Sequence, residues 1–418
     1  MIKRLRANMS KLLVLCDQAV VSGSSFLTNI IIARALGVSG YGRFSAIILA
    51  QLFLLSLQQA ASSGIYQVMF PRFGPATQKK YNNGIFYLQL FLYGVLVLAA
   101  ALIYQLFPAI TGSYKDVFIP AVAASILFLL QDFLRKVLIT RQEEARALMI
   151  DIITNGLQIV ILLVFVATQT LSLAKACWII FATFIPSAVA GIYWIQPGTY
   201  KLKNMKLAAV RNKQQSSWMF LSALLQWFAG NFFVMAAGWW LGMAALGALR
   251  LAQYIFGLLN VLLQAIENYA LPAASKLQED SRLLAKFLKK MLFTSLVTML
   301  PALVIVVVFA RQLLLLSGGA DYTSYAYVMY GLTANYLLIV FGLPVRITLR
   351  AKLLSQHYFA GYVIATAFSM ATARWLIGGW ELRGVLVGLF FTQLIVLSYW
   401  LLILKRKKVF TWKLFTSY

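Results

Sequence analysis

Long apolar runs separated by short polar bursts pattern the chain from end to end. They predict helical spans at about 12–34, 44–69, 84–106, 117–138, 147–167, 173–195, 217–240, 246–270, 287–310, 324–345, 357–378 and 384–404. Nearly all are too long for strands, and they lack the two-residue alternation of an outer-membrane barrel. Helices, which satisfy their own backbone groups in lipid, are the solution. Lys3, Arg4, Arg6 and Lys11 precede Leu12-Leu13-Val14-Leu15 in the manner of a signal sequence. No small-residue cleavage site closes a short apolar core, and the apolar stretch continues towards Ala33, which predicts an uncleaved first span.

The pattern repeats. The first span leaves through Leu36-Gly37-Val38-Ser39-Gly40-Tyr41-Gly42 and the seventh through Leu241-Gly242-Met243-Ala244-Ala245-Leu246-Gly247, an offset of 205 residues. At that offset Gln59 falls on Gln264, and a proline follows each second span (Pro71, Pro272). Each half then holds six spans and enters and leaves on one side, so the repeat is parallel, with a pseudo-two-fold along the membrane normal. The expected fold is all-α and polytopic, with twelve transmembrane helices in two six-helix bundles, 1–205 and 206–418. The basic segment from about 198 to 215 joins them.

Composition agrees. Of 418 residues, 61% are hydrophobic and 11% charged, against about 45–50% and about 25% in soluble domains, which excludes a soluble multidomain enzyme. The net charge of +26 would suggest nucleic acid if it formed one basic face, but it sits in bursts between spans, so no nucleic-acid partner is expected. With the N-terminus inside, 29 of the 37 Lys and Arg residues fall in inward segments and 8 outside, placing both termini in the cytoplasm. Cys16 and Cys177 lie in apolar segments and form no disulfide framework. One histidine and two such cysteines leave no His/Cys metal site, and no phosphate-binding glycine loop is present. No cofactor is expected.

Polar residues inside spans are expensive and face a partner helix or a cavity. In the eighth span Arg250, Gln253, Gly257, Asn260, Gln264, Glu267 and Asn268 fall within an arc of roughly 100° and run roughly 27 Å along the axis. The stripe reads as a cavity wall or as hydrogen-bond glue between helices. The second span carries Gln59 on a polar face, the first Asn29, and the seventh Asn231, as expected if these helices line a central cavity. Asp17, inset in the first span, is either an interfacial carboxylate neutralised by Lys11 or another basic group, or a site coupling transport to a proton or sodium gradient. Asp151, with Asn155 and Gln158 on its face, is a second candidate of that kind. Asp132 has Arg135 and Lys136 three and four residues on and reads as a local ion pair. Arg34, Arg250 and Arg374, at outer span ends, either snorkel to headgroups or grip an anion by paired hydrogen bonds.

The layout, the first-span ending Ala33-Arg34-Ala35-Leu36-Gly37, the following Gly40-Tyr41-Gly42-Arg43-Phe44-Ser45 and the basic tail resemble the Wzx-type polysaccharide flippases of the multidrug/oligosaccharidyl-lipid/polysaccharide (MOP) exporter superfamily. The resemblance implies a MATE-like fold in a bacterial inner membrane. It implies a flippase, not an enzyme, that moves an undecaprenyl-diphosphate-linked oligosaccharide unit for O-antigen or another surface polysaccharide. A polysaccharide polymerase and a chain-length regulator are the implied partners, beside membrane lipids. A drug or cation exporter of the same superfamily, or a membrane polysaccharide polymerase, are the alternative readings.

Overall fold

The computed structural model describes residues 2–108, 112–277 and 280–407; the tail bases from Lys408 to Lys413 lie outside the described residues, as do the side chains of Lys3 to Lys11 and of Asn268. The described residues form helices and short connections. Among the described residues, ten helical stretches are long and apolar enough to cross a membrane. Two of them, Cys16–Arg72 with 57 residues and Ser355–Arg406 with 52, greatly exceed the ~20 residues of one crossing. Each is broken once, at Gly37 (φ 66°, ψ −178°) and at Glu381 (φ 49°, ψ −130°), and so supplies two crossings. Twelve crossings result. Large apolar side chains such as Leu98, Val160, Val189, Phe293 and Val308 point outward, the arrangement of a protein whose solvent is lipid.

The repeat reappears as backbone geometry. Gly242 (φ 88°, ψ 175°) precedes the helix Met243–Lys276 with nearly the dihedrals of Gly37, a left-handed region that glycine reaches without steric cost. Five residues on, Gly42 and Gly247 meet the opposite repeat. A methyl on Gly42 would overlap the carbonyl of Met243, and one on Gly247 the carbonyl of Val38. The contact is reciprocal, since Val38 and Met243 are themselves equivalent positions.

Packing divides the chain into two compact units, one of residues 1–36 and 47–224, the other of 37–46 and 225–418. In the first, Lys115–Thr140 packs on Leu173–Ile195 and Glu144–Ala167 around Phe133, Leu134 and Leu138. Tyr66 and Tyr81 stack there at 5.7 Å, and Tyr81 donates to Asn212 Oδ1 at 2.7 Å. In the second, Ala326–Ala351 packs on Ser355–Arg406 and Met243–Lys276, with Tyr358 stacked on Trp400 at 5.0 Å. The segment read as a joint is helical: one helix runs Leu202–Leu241, because its lysines, alanines and glutamines are good helix formers. The units part within that helix, at 224/225.

Candidate functional site

Each unit holds an ion cluster, buried in the first and partly exposed in the second. In the first unit Arg135, on Lys115–Thr140, reaches Asp17 on Ile2–Gln58 and Asp151 on Glu144–Ala167. Arg135 Nε donates to Asp17 Oδ2 at 2.9 Å, and Nη2 donates to the same oxygen. Asp151 Oδ2 lies 2.8 Å from Nε but off the N–H axis, so that contact is ionic only. Gln131, one turn away, donates to Asp151 Oδ1 at 2.7 Å and accepts from Thr154 (2.8 Å) and Ser187 (3.0 Å). Both carboxylates are about 2% exposed or less, and Asp17 Oδ1 and Asp151 Oδ2 are buried without a hydrogen-bond donor. Two carboxyl groups share one guanidinium, and two acceptors stay open.

A neutral layer adjoins it. Asp132 pairs with Lys136 at 3.1 Å, as the spacing suggests, whereas Arg135 turns to the distant carboxylates. Gln58 donates to Leu129 O at 2.9 Å and accepts from Gln89 (3.1 Å) and Tyr93 (3.0 Å). The expected Gln59 instead opens a π-helical turn, Gln59–Ser63, and is half-buried. Asn29 is buried, donating to Ser25 O at 2.7 Å, and Gln158 donates to Thr28 at 2.9 Å. Arg34 is exposed.

In the second unit the proportions reverse. Glu267 is held by both Arg346 and Arg350, one turn apart on Ala326–Ala351. A cavity of about 280 Å³ opens beside them, lined by Asn260, Gln264, Glu267, Arg346, Tyr362 and Gln393 among others. Asn260 and Gln264 are exposed to it, so this stretch of the stripe is a cavity wall, while Asn260 also bonds Tyr336 and Glu267 pairs with Arg346 and Arg350 on the neighbouring helix. Roughly 25 Å along the same helix, Arg250 is 8% exposed, with Gln253 at 3.1 Å, Tyr254 Oη at 3.3 Å and the Tyr254 ring beneath it. The Nε–H groups of Arg250 and of Arg346 are buried and lack an acceptor. Asn231 donates to Trp227 O at 2.9 Å and Arg374 is exposed; neither joins these clusters among the described contacts. Sequence periodicity found Arg250, Asn260 and Gln264, but missed Arg135, Arg346 and Arg350 because they pair across 79 to 118 residues of chain.

Comparison with known proteins adds the lineage. Residues 31–327 match the family described as "Polysaccharide biosynthesis protein". The chain belongs to this family. Its fold is that of the MOP superfamily. A multidrug resistance MATE family transporter of that superfamily, inward-facing, superposes with a TM-score of 0.72 at 14% identity, covering 96% of each chain. The lipid II flippase MurJ, inward closed, gives 0.71 at 14% identity, covering 97% of this family member and 89% of that chain. A MOP superfamily transporter from Pyrococcus furiosus, reported with a binding pocket of reverse polarity, gives 0.61 at 14% identity over 97% and 95%. No curated protein matches in sequence.

Proposed function

We propose that this protein is a flippase that moves an undecaprenyl-diphosphate-linked oligosaccharide unit across a bacterial inner membrane by alternating access, for assembly of O-antigen or another surface polysaccharide. The observation that carries the reading is a pair of guanidiniums, Arg250 at one end of the amide-bearing stripe and Arg346 facing its other end from the neighbouring helix, each with a buried Nε–H that lacks an acceptor. A diphosphate supplies acceptors for such donors, and charge-assisted bonds there offset the loss of water that forbids unaided crossing of hydrocarbon. Asn260, Gln264 and Gln393 can replace water around sugar hydroxyls, while the polyprenyl tail stays in lipid. Membership in a polysaccharide biosynthesis family supports a saccharide cargo. The Asp17–Arg135–Asp151 cluster, with two carboxyl groups for one cation and two oxygens without donors, is the site we assign to a coupling proton or sodium ion. Chemistry on the cargo is left to partners, a polymerase and a chain-length regulator, and both termini face the cytoplasm.

The test is the location of the lipid-linked intermediate. Deleting the gene should accumulate an undecaprenyl-diphosphate oligosaccharide on the cytoplasmic leaflet, and reconstituted protein should expose it on the other side of a vesicle. Equal exposure in empty vesicles would defeat the reading. A cation or drug exporter is the second reading, favoured by the same acidic cluster; it requires gradient-driven efflux of a cationic dye and no lipid-linked intermediate.

A further inference from the structure

A second cavity, of about 890 Å³, lies in the first unit, apart from its ion cluster. Four span ends meet there: the starts of Pro75–Leu106 and Leu202–Leu241, and the residues that follow Lys115–Thr140 and Leu173–Ile195. Lys79, Lys80, Arg141 and Lys201 line it, against a single acid, Glu143, which is already paired with Arg146. Among the described residues none of these four cations ion-pairs with a carboxylate. The helix starting at Pro75 follows Gly74 and has no side-chain cap, so its amide end adds positive potential.

The wall is built, not loose. Asn83 donates to Pro197 O (2.7 Å) and Thr199 O (2.8 Å), Tyr87 to Gly198 O (2.7 Å), and Asn204 to Asn83 Oδ1 (2.8 Å). Arg141 donates to Ile195 O at 2.9 Å. The carbonyls of Ile195, Pro197, Gly198 and Thr199 are thus already bonded, while the lysine ammoniums keep donors to offer. Beside the cavity Tyr200 and Leu202 are exposed, an amphipathic rim suited to the depth where acyl chains meet headgroups.

We infer that this pocket binds the phosphate of an anionic phospholipid headgroup in the adjoining leaflet, as a lipid site independent of the transported cargo. Cations at span ends attract anionic lipid and are screened by salt. The size exceeds what a bare phosphate fills and leaves room for glycerol. Binding is measured on purified, full-length protein with short-chain phosphatidylglycerol, phosphatidylcholine of the same chains, and pyrophosphate.

Wild-type protein should prefer phosphatidylglycerol, with the preference falling as salt rises. Lys79→Gln/Lys80→Gln/Lys201→Gln should lose about tenfold or more in phosphatidylglycerol affinity and nothing for phosphatidylcholine. These lysines are exposed, so the fold should tolerate the change. Lys201→Glu alone should act in the same direction. The basic burst of the other unit serves as control, and Lys286→Gln/Lys289→Gln/Lys290→Gln should leave the preference intact. Wild-type preference in both Lys201 variants would overturn the site. Pyrophosphate binding as tightly as the lipid would overturn the lipid source and leave a soluble phosphate in its place. Neither result depends on flux, so failure here is distinct from failure of the transport reading.

Discussion

The two ion clusters are opposite in stoichiometry. The first unit holds two carboxylates on one guanidinium, and the second holds two guanidiniums on one carboxylate. Their unsatisfied atoms differ in the same sense: carboxylate oxygens of Asp17 and Asp151 in one, the guanidinium Nε–H of Arg346 in the other. Buried polar atoms without partners cost free energy unless something fills them. In the proposed reading a cation or proton fills the first set and an anion the second. The two sites would then serve a driving ion and an anionic cargo, and the difference is written in which charge is in the minority.

That contrast can be broken at its minority members. Arg135→Gln should have the largest effect, because it strands two buried carboxylates; removing one partner of a buried pair costs roughly 3–5 kcal/mol. Thermal unfolding in detergent should show it, and adding Asp17→Asn with Asp151→Asn should recover most of the loss. Unfolding unchanged from wild type would mean that the arginine does not hold the carboxylates together. Next, Arg346→Ala with Arg350→Ala should cut flux by about a hundredfold or more, two charge-assisted bonds being worth about 1.5–3 kcal/mol each. The double Lys variant should restore part of it. Arg250→Ala should cost about thirtyfold, one such bond, whereas wild-type flux at matched protein level would remove it from the site.

The remaining two sharpen the contrast. Asp151→Asn removes one of the two ionisable carboxyl groups, so gradient-driven transport should fall about tenfold, the equivalent of ~1.4 kcal/mol, while exchange without a gradient persists. Dependence on the gradient equal to wild type would detach this cluster from coupling. Smallest is Glu267→Gln. With its carboxylate gone, Arg346 and Arg350 are freed for an anion, and pyrophosphate should bind about threefold to tenfold more tightly. Weaker binding would make Glu267 part of the receptor and not a stand-in for the ligand.

What the sequence discloses follows from the range of each interaction. Hydropathy is local, and the twelve spans are legible from it. The repeat is legible because Gly37 and Gly242 are demanded by the backbone itself, and the structure gives both a positive φ. Faces of single helices are legible too, hence Arg250, Asn260 and Gln264. Partners on other helices are not. Periodicity assigned Arg135 to Asp132, its neighbour, but only folding brings it to Asp17, 118 residues away. The π-helical turn at Gln59–Ser63 shifts the register locally, and Gln58 holds the hydrogen-bond network.

The reciprocal crossing of Gly42 and Gly247 also bears on how the protein is made. Residues 37–46 pack with the second unit: Val38 meets Gly247, and Gly37 O accepts from the buried Tyr322 at 3.3 Å. A ribosome adding roughly 5–20 residues per second needs ~10–40 s to proceed from Val38 to Met243. During that interval the first six helices are inserted while one of their turns lacks its mate. Biogenesis is therefore committed late, and a chain cut short near its middle would present a bare glycine-rich bend to the membrane's quality-control proteases.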